Sequence, residues 1–342
     1  MLYKKLLIET IKEEIKGFKT FSFKDDHGII YKAGQYLTFV QQENKEEIRR
    51  SYSIVSSPEL NEPLTIGVKR IENGTFSRRL VDQAKPGDKL LTTGAGGLFT
   101  LPDDLDNYQQ LFLLAAGSGI TPILSLIKTV LYQHQQQVVL VYSNASPEKT
   151  AFYDELRELA ARFRLRFQIQ FLFSNSHQLS KARLYRELLQ QLLAEFAIAA
   201  HHQTLYFICG PEAYMRMCTY TLQEEAVPKQ NIRKENFVIL KTQPPKAEPP
   251  DKNEHVVTIE TKESTYHLSV AYPDTILQAA KKQGIRLPYS CETGRCGNCV
   301  ARCIEGNVWL SYNEVLTEDD IQNGLTLTCV GYPVGGNVRL GI

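Results

Sequence analysis

The segment LPYSCETGRCGNCVARCIEGNV, residues 287–308, holds four of the seven cysteines in the chain, and a fifth follows at Cys329 in LTCVGYP. Four residues separate Cys291 from Cys296, two separate Cys296 from Cys299, and 29 lie between Cys299 and Cys329. That is the plant-type 2Fe-2S spacing. Two sulfide-bridged irons need four thiolates, and a short loop can wrap the cluster with three while a distant segment closes it. Gly294 and Gly297 fit this chemistry, because residues without side chains let backbone N–H groups approach the sulfurs and tune the reduction potential. A four-cysteine zinc module would pair two short Cys-x(2–4)-Cys knuckles, and Cys329 has no such neighbour. The predicted metal ligands are Cys291, Cys296, Cys299 and Cys329. Cys303 falls in the alternating stretch VARCIEGNV and reads as a buried core thiol, as does Cys218 in the helical run YMRMCTYTL.

Working outward, 342 residues exceed what one hydrophobic core usually serves, so two or three domains are expected. With 39 basic and 38 acidic residues, the formal charge of +1 gives no reason to propose nucleic acid or a membrane surface as partner. The N-terminal MLYKKLLIETIKEEIKGF lacks the apolar centre of a signal peptide. The longest clearly apolar run, Leu111 to Ala116, is far too short to span a bilayer. Clustered thiols without a secretory signal favour a metal over disulfides. These features predict a cytoplasmic protein without membrane insertion.

The clearest boundary is Lys241 to Glu254, KTQPPKAEPPDKNE, where four prolines and alternating charges leave nothing to bury and predict a semi-extended tether. Before it, residues 1–103 show short alternating segments (YLTFV, SYSIV, LTIGVKRI, KLLTTG) between Gly, Pro and Asn turns, the pattern of an antiparallel β-barrel. Residues 104–240 alternate apolar strand-like runs (QLFLLAAG, QVVLVYSN, RFQIQFLF, LYFICG) with amphipathic helices, which predicts an α/β domain with a parallel sheet. Residues 255–342 open with the hairpin-like VVTIET and TYHLSV, continue in helix-like TILQAAKKQG and reach the cysteine loop. Over this last stretch the sequence resembles the plant-type ferredoxins, which implies an α+β, β-grasp domain.

Within the barrel segment, Arg50-Ser51-Tyr52-Ser53 looks like the Arg-x-Tyr-Ser signature of the ferredoxin-NADP reductase superfamily. Gly74-Thr75-Phe76-Ser77 follows, where a glycine permits close approach of backbone to phosphate and Ser77 is expected to cap the helix SRRLVDQA. The resemblance implies FAD. Arg50 would pair with its diphosphate, a planar guanidinium suiting two oxygens at once. Tyr52 would lie against the isoalloxazine, Ser53 would stand at the hydride-accepting edge, and Val68 and Lys69 in GVKR would line the flavin with backbone groups.

Gly117-Ser118-Gly119-Ile120-Thr121-Pro122 follows the strand QLFLLAA and opens the helix ILSLIKTVLYQ, so N–H groups face the place of a pyrophosphate. Cys209-Gly210-Pro211-Glu212 ends the strand LYFI, where open parallel sheets place their ligands. Both resemble the superfamily's nicotinamide site. The resemblance implies that Cys209 lies beside the nicotinamide and that Thr121 faces the flavin, and it extends over residues 1–240. Glu235-Asn236-Phe237 looks like the superfamily's terminal Glu-x-Phe, with Phe237 near the flavin. The second strand ends in Tyr142-Ser143-Asn144-Ala145, without the arginine many relatives carry at the last position, and Arg183 is a second candidate for a 2'-phosphate. NADPH is the expected donor, with NADH the alternative.

The domain order resembles that of reductases feeding oxygenases, hydroxylases and desaturases, the phenylacetyl-CoA epoxygenase reductases among them. The resemblance implies a multidomain monomer that takes hydride from NAD(P)H onto FAD and passes single electrons through the cluster to such a terminal partner. Ser53, Thr121 and Cys209 are the implied catalytic positions. The competing readings are a stand-alone ferredoxin or flavodoxin reductase and a non-catalytic iron-sulfur redox sensor.

Overall fold

The computed structural model describes residues 3–43, 46–237, 247–261 and 263–342. The chain divides into two compact units, with the division at Val238/Ile239. Each has its own sheet system.

The first unit begins with strands β1 (Lys4–Ile15), β2 (Phe18–Phe23), β3 (Tyr36–Glu43), β4 (Glu46–Ser53), β5 (Thr65–Lys69) and, after helix α1 (Thr75–Gln83), β6 (Lys89–Gly96). They form one antiparallel sheet in the order β4-β3-β6-β1-β2-β5. A bridge between Ile54 and Ile66 joins its two ends and closes it into a barrel. Alternate side chains point inward, so Leu6, Ile8, Phe21, Phe23, Leu37, Phe39 and Ile66 share one core. Helix α1 lays Phe76, Leu80 and Val81 onto that core.

The chain continues through β7 (Gln110–Ala116), α2 (Ile120–Gln133), β8 (Gln137–Asn144), α3 (Tyr153–Arg162), β9 (Phe167–Phe173), α4 (Arg186–Phe196), β10 (Thr204–Cys209), α5 (Glu212–Glu224) and β11 (Ile232–Glu235). These strands form a parallel sheet, β11-β10-β7-β8-β9. Every residue of β7 is buried, as a strand covered on both faces requires. Leu111, Leu113 and Ala115 face the core shared with α2 and α3, whereas Phe112 and Leu114 face the one shared with α4 and α5. The chain winds outward from β7 to β9 and then returns to β10 on the other side of β7. The crevice at the carboxyl ends of β7 and β10 is therefore a topological switch point, where open α/β sheets bind ligands.

Barrel and parallel sheet share a core. Phe18 meets Phe152 edge-on at 5.7 Å and Phe99 meets Phe207 at 5.1 Å. Gly67 of β5 has no room for a side chain, since a Cβ there would lie 2.5 Å from Thr121 Cγ2. Lys128, 13 % exposed, bridges Glu62 of the barrel at 3.0 Å and Glu155 of α3 at 2.7 Å. Burial disfavours its charge, but the two carboxylates outweigh burial and hold its pKa up.

The second unit contains β12 (His255–Glu260), β13 (Thr265–Val270), α6 (Ile276–Lys282), β14 (Val300–Leu310), α7 (Glu318–Gln322), β15 (Leu325–Leu327) and β16 (Gly331–Gly341). Its mixed sheet runs β13-β12-β16-β14-β15, with β12 and β16 parallel and the other pairs antiparallel. Thr275 opens α6 with a reciprocal capping box to Gln278, and the helix buries Ile276, Leu277, Ala279 and Ala280 against β13 and β16.

Two sequence expectations fail in this unit. The proline-rich stretch was expected to bury nothing, yet its second half packs onto the domain. Pro249 is buried, Glu248 accepts the Tyr272 hydroxyl at 3.2 Å, and Asp251 accepts the Gly335 N–H at 2.8 Å and His255 Nε2 at 2.7 Å. The Asn253 and Gly335 N–H groups, with His255, hold the Asp251 carboxyl well below the usual range. Residues 241–246 of that stretch lie outside the described residues. Cys303, in turn, is half-buried on β14, its Sγ near the carbonyls of Glu305 and Gly306. Register shifts between Cys303 and Asn307 interrupt the in–out alternation on which the core expectation rested.

Candidate functional site

At the end of β4, Ser51 and Ser53 point away from Arg50 and Tyr52, as strand alternation demands. Ser51 Oγ pairs with Thr38 Oγ1 at 2.9 Å. The Tyr52 ring lies on Phe76 at 5.9 Å with 27° between planes, which brings strand β4 and helix α1 together. Arg50 is exposed and bonds the Arg49 carbonyl at 2.7 Å. Val68 is buried in β5 and Lys69 exposed at its end. Gly74 is required sterically, because a Cβ would lie 2.6 Å from Ser77 Oγ and 3.0 Å from Ile71 Cβ. Ser77 does not cap the helix as expected. Helix α1 starts at Thr75 with Gly74 as N-cap, so Ser77 sits in the first turn, where its hydroxyl donates to Gly74 O and accepts from Ile71 N. The helix N terminus has no side-chain cap, and its first N–H groups can serve an anion. An uncapped helix end, a glycine cradle and an exposed guanidinium suit a flavin diphosphate.

The switch-point crevice is built on close backbone approach. A Cβ on Gly119 would lie 2.0 Å from Cys209 O, so the loop after β7 can touch the end of β10 only as glycine. Gly117 takes φ 56°, and Ser118 completes the turn into α2. Thr121 is buried, with its hydroxyl on Ser118 O at 2.9 Å and its methyl toward Gly67. It therefore braces the barrel against the parallel sheet. Pro122 sits in the first turn of α2, where a missing N–H costs nothing. Gly210 packs on Ala116 and Tyr214, and Pro211 is the N-cap of α5. At the end of β8, Ser143 and Asn144 carry buried polar atoms, Ser143 beside the Tyr214 hydroxyl and Asn144 beside that of Tyr142. Arg183 is exposed.

Ser53 and Cys209 meet a third residue to which the sequence reading gave no role. Glu235 ends β11, in register with Cys209 on β10, and its Oε2 accepts the Ser53 hydroxyl at 3.1 Å. Burial pushes its carboxyl up to about 8, against the lowering effect of that bond. Burial, and then Glu235, push the Cys209 thiol up as well. Burial thus disfavours the charged form of both groups. Phe237, two residues on, is 42 % exposed.

In the second unit the four thiols are paired two and two. Cys299 Sγ lies 3.2 Å from Cys329 Sγ, and Cys291 is hydrogen-bonded to Cys296. Among the described residues no three His, Cys, Asp or Glu side chains surround one ion-sized point. A 2Fe-2S cluster, which takes two thiolates on each iron, suits this donor set better than a single tetrahedral ion. Backbone N–H groups of Thr293 and Arg295 face Cys291, that of Asn298 faces Cys296 and that of Gly294 faces Cys329. The bond with Cys296, with help from Thr293 and Arg295, lowers the Cys291 pKa, while the partner thiol and burial raise those of Cys296 and Cys329. Gly294 and Gly297 take φ 75° and 74°, a conformation that favours glycine. Thr293 Oγ1 is buried beside the thiols and faces the Cys291 sulfur.

Comparison with known families matches an oxidoreductase FAD-binding domain at residues 6–101, an oxidoreductase NAD-binding domain at 113–220 and a 2Fe-2S iron-sulfur cluster binding domain at 258–334. The chain is 32 % identical over 315 residues to the ferredoxin reductase component of 3-ketosteroid-9-alpha-monooxygenase from Mycobacterium tuberculosis, covering 91 % of this chain and 85 % of that protein. The chain belongs to the iron-sulfur flavoprotein reductases. It is also 30 % identical over 313 residues to one of the subunits of the Escherichia coli 1,2-phenylacetyl-CoA epoxidase, with 90 % of this chain and 87 % of that subunit covered. Phthalate dioxygenase reductase shares the fold, with a TM-score of 0.60 at 23 % identity over 99 % of this chain and 98 % of that one. This reductase is an NAD(P)H-dependent oxidoreductase with FAD and 2Fe-2S cofactors. Among its described residues no helix is long and apolar enough to cross a membrane.

Proposed function

We propose that this reductase is a cytoplasmic monomer that takes electrons from NADPH and delivers them to a terminal oxygenase, hydroxylase or desaturase. The observation that carries the reading is the meeting of Ser53, Cys209 and Glu235 at a glycine-lined switch point, in a chain that also presents a two-and-two thiol loop. Bound FAD accepts two electrons as hydride and releases them singly, which matches a donor of two to a carrier of one. Arg50, Gly74 and the first turn of α1 hold the flavin diphosphate, and Ser51, Tyr52, Ser53, Val68, Lys69, Thr75, Phe76 and Ser77 line its site. Gly117, Ser118, Gly119, Thr121, Pro122, Cys209, Gly210 and Pro211 form the nicotinamide crevice.

Glu235 retains a proton at neutral pH and holds Ser53 Oγ in one orientation. Cys209, kept as an uncharged thiol, gives the crevice a small apolar wall that excludes water. Cys291, Cys296, Cys299 and Cys329 ligate the cluster.

NADPH is favoured on the exposed cation Arg183, since the strand end Ser143-Asn144-Ala145-Ser146 is itself uncharged. Arg183 is the cation assigned to the 2'-phosphate. The test is kcat/KM for both nicotinamides with ferricyanide as acceptor, in wild type and Arg183→Gln. The reading predicts a preference for NADPH that shrinks in the variant, and a wild-type preference for NADH would refute it. Turnover of a purified terminal oxygenase that depends on both this chain and NADPH tests the acceptor.

A further inference from the structure

Arg295 is a cation built into the cluster loop. It lies between Gly294 and Cys296, its own N–H faces the Cys291 sulfur, and its side chain is 9 % exposed. Its Nε stands 3.2 Å from Glu314 Oε2, out of hydrogen-bond alignment. Its Nη2 donates to the Tyr312 hydroxyl at 3.4 Å, and its guanidinium carbon is 5.4 Å from that ring's centre. Tyr312 in turn donates its hydroxyl to Glu314 Oε1.

The same segment braces the loop backbone. Glu314 N–H donates to Gly294 O at 3.1 Å, and a Cβ on Gly294 would lie 2.9 Å from Tyr312 O. Arg295 is thus fixed by its partners. Glu314 is 33 % exposed, so water screens its charge more than that of Arg295. The pair should act on the loop as a partly offset positive charge.

We propose that Arg295, positioned by Glu314 and Tyr312, raises the reduction potential of the cluster held by Cys291, Cys296, Cys299 and Cys329, and that Glu314 partly offsets it. Reduction adds one electron and no proton to the cluster site, so its negative charge grows by one. A nearby buried cation favours the reduced form, and a nearby anion opposes it.

The two partners of one ion pair should therefore shift the potential in opposite directions. A merely structural role would move both variants the same way, because either substitution breaks the same contact. The test is a redox titration of the full chain loaded with FAD and cluster, with the reduced cluster read by electron paramagnetic resonance. Arg295→Gln is expected to lower the reduced-to-oxidised ratio at fixed ambient potential at least threefold, a midpoint about 28 mV more negative. Glu314→Gln is expected to raise the ratio by a similar factor, and Arg295→Lys to stay within threefold of wild type. Shifts of the same sign in Arg295→Gln and Glu314→Gln would overturn the proposal, as would an unmoved Glu314→Gln. If Arg295→Gln fails to load its cluster, the sign in Glu314→Gln decides alone.

Discussion

Replacing Glu235 with glutamine should remove a pH dependence that the wild type carries into its folding. The carboxyl is 8 % exposed and its pKa stands at about 8, against an ordinary 4.5. Between those values the folded chain keeps a proton that the unfolded chain has lost, so stability falls as pH rises. It is fully present below about pH 4.5 and lost by the time pH passes 8. At about 1.4 kcal/mol per pH unit the interval amounts to roughly 5 kcal/mol. Glutamine keeps the shape and accepts the Ser53 hydroxyl but does not titrate. The assay is urea unfolding of FAD-free wild type and Glu235→Gln from pH 5 to 9, followed by far-ultraviolet circular dichroism. The variant should be close to wild type at pH 5 and several kcal/mol more stable at pH 9. A stability difference that stays flat across this range would refute the claim that burial holds Glu235 protonated.

Gly119→Ala must push the loop after β7 away from Cys209 O, which should cost about 1–3 kcal/mol of stability. Stopped-flow flavin bleaching by NADPH should show a raised half-saturation concentration. Cys296→Ser should abolish electron transfer to acceptors that depend on the cluster and leave hydride transfer to FAD intact, and loss of flavin bleaching as well would contradict the division of labour. Thr293→Val removes the buried hydroxyl that faces the Cys291 sulfur and should make the cluster midpoint more negative in a redox titration, because a hydrogen bond to sulfur favours the reduced form. Asp251→Asn should loosen the segment from Pro249 to His255, read as faster amide exchange at Gly335, whose N–H bonds Asp251.

What was legible in the sequence is what chemistry fixes locally. The cluster loop is legible because the irons dictate ligand spacing whatever surrounds them. The barrel and the parallel sheet are legible because alternation and buried runs are written strand by strand, as in YLTFV and QLFLLAA. The residues that escaped depend on partners distant in the chain. Glu235 stands out in the sequence as the first residue of a Glu-x-Phe motif, but its role waits on Ser53, 182 positions away, which places its hydroxyl on it inside the crevice. The packed half of the proline-rich stretch is held by Tyr272 and Gly335, neither of which is adjacent to it in sequence. Cys303 misled because bulges break strand periodicity without a local signature. Ser77 misled because helix starts read from sequence shift by a residue or two, enough to turn a cap into a first-turn residue.

The most direct measurement is an anaerobic titration of the FAD- and cluster-loaded chain with NADPH, with flavin and cluster followed separately by absorbance and electron paramagnetic resonance. A continuous internal chain predicts that NADPH alone fills both centres, the flavin with two electrons and the cluster with one. A fully reduced flavin beside a cluster that stays oxidised, yet is reduced by dithionite, would contradict it.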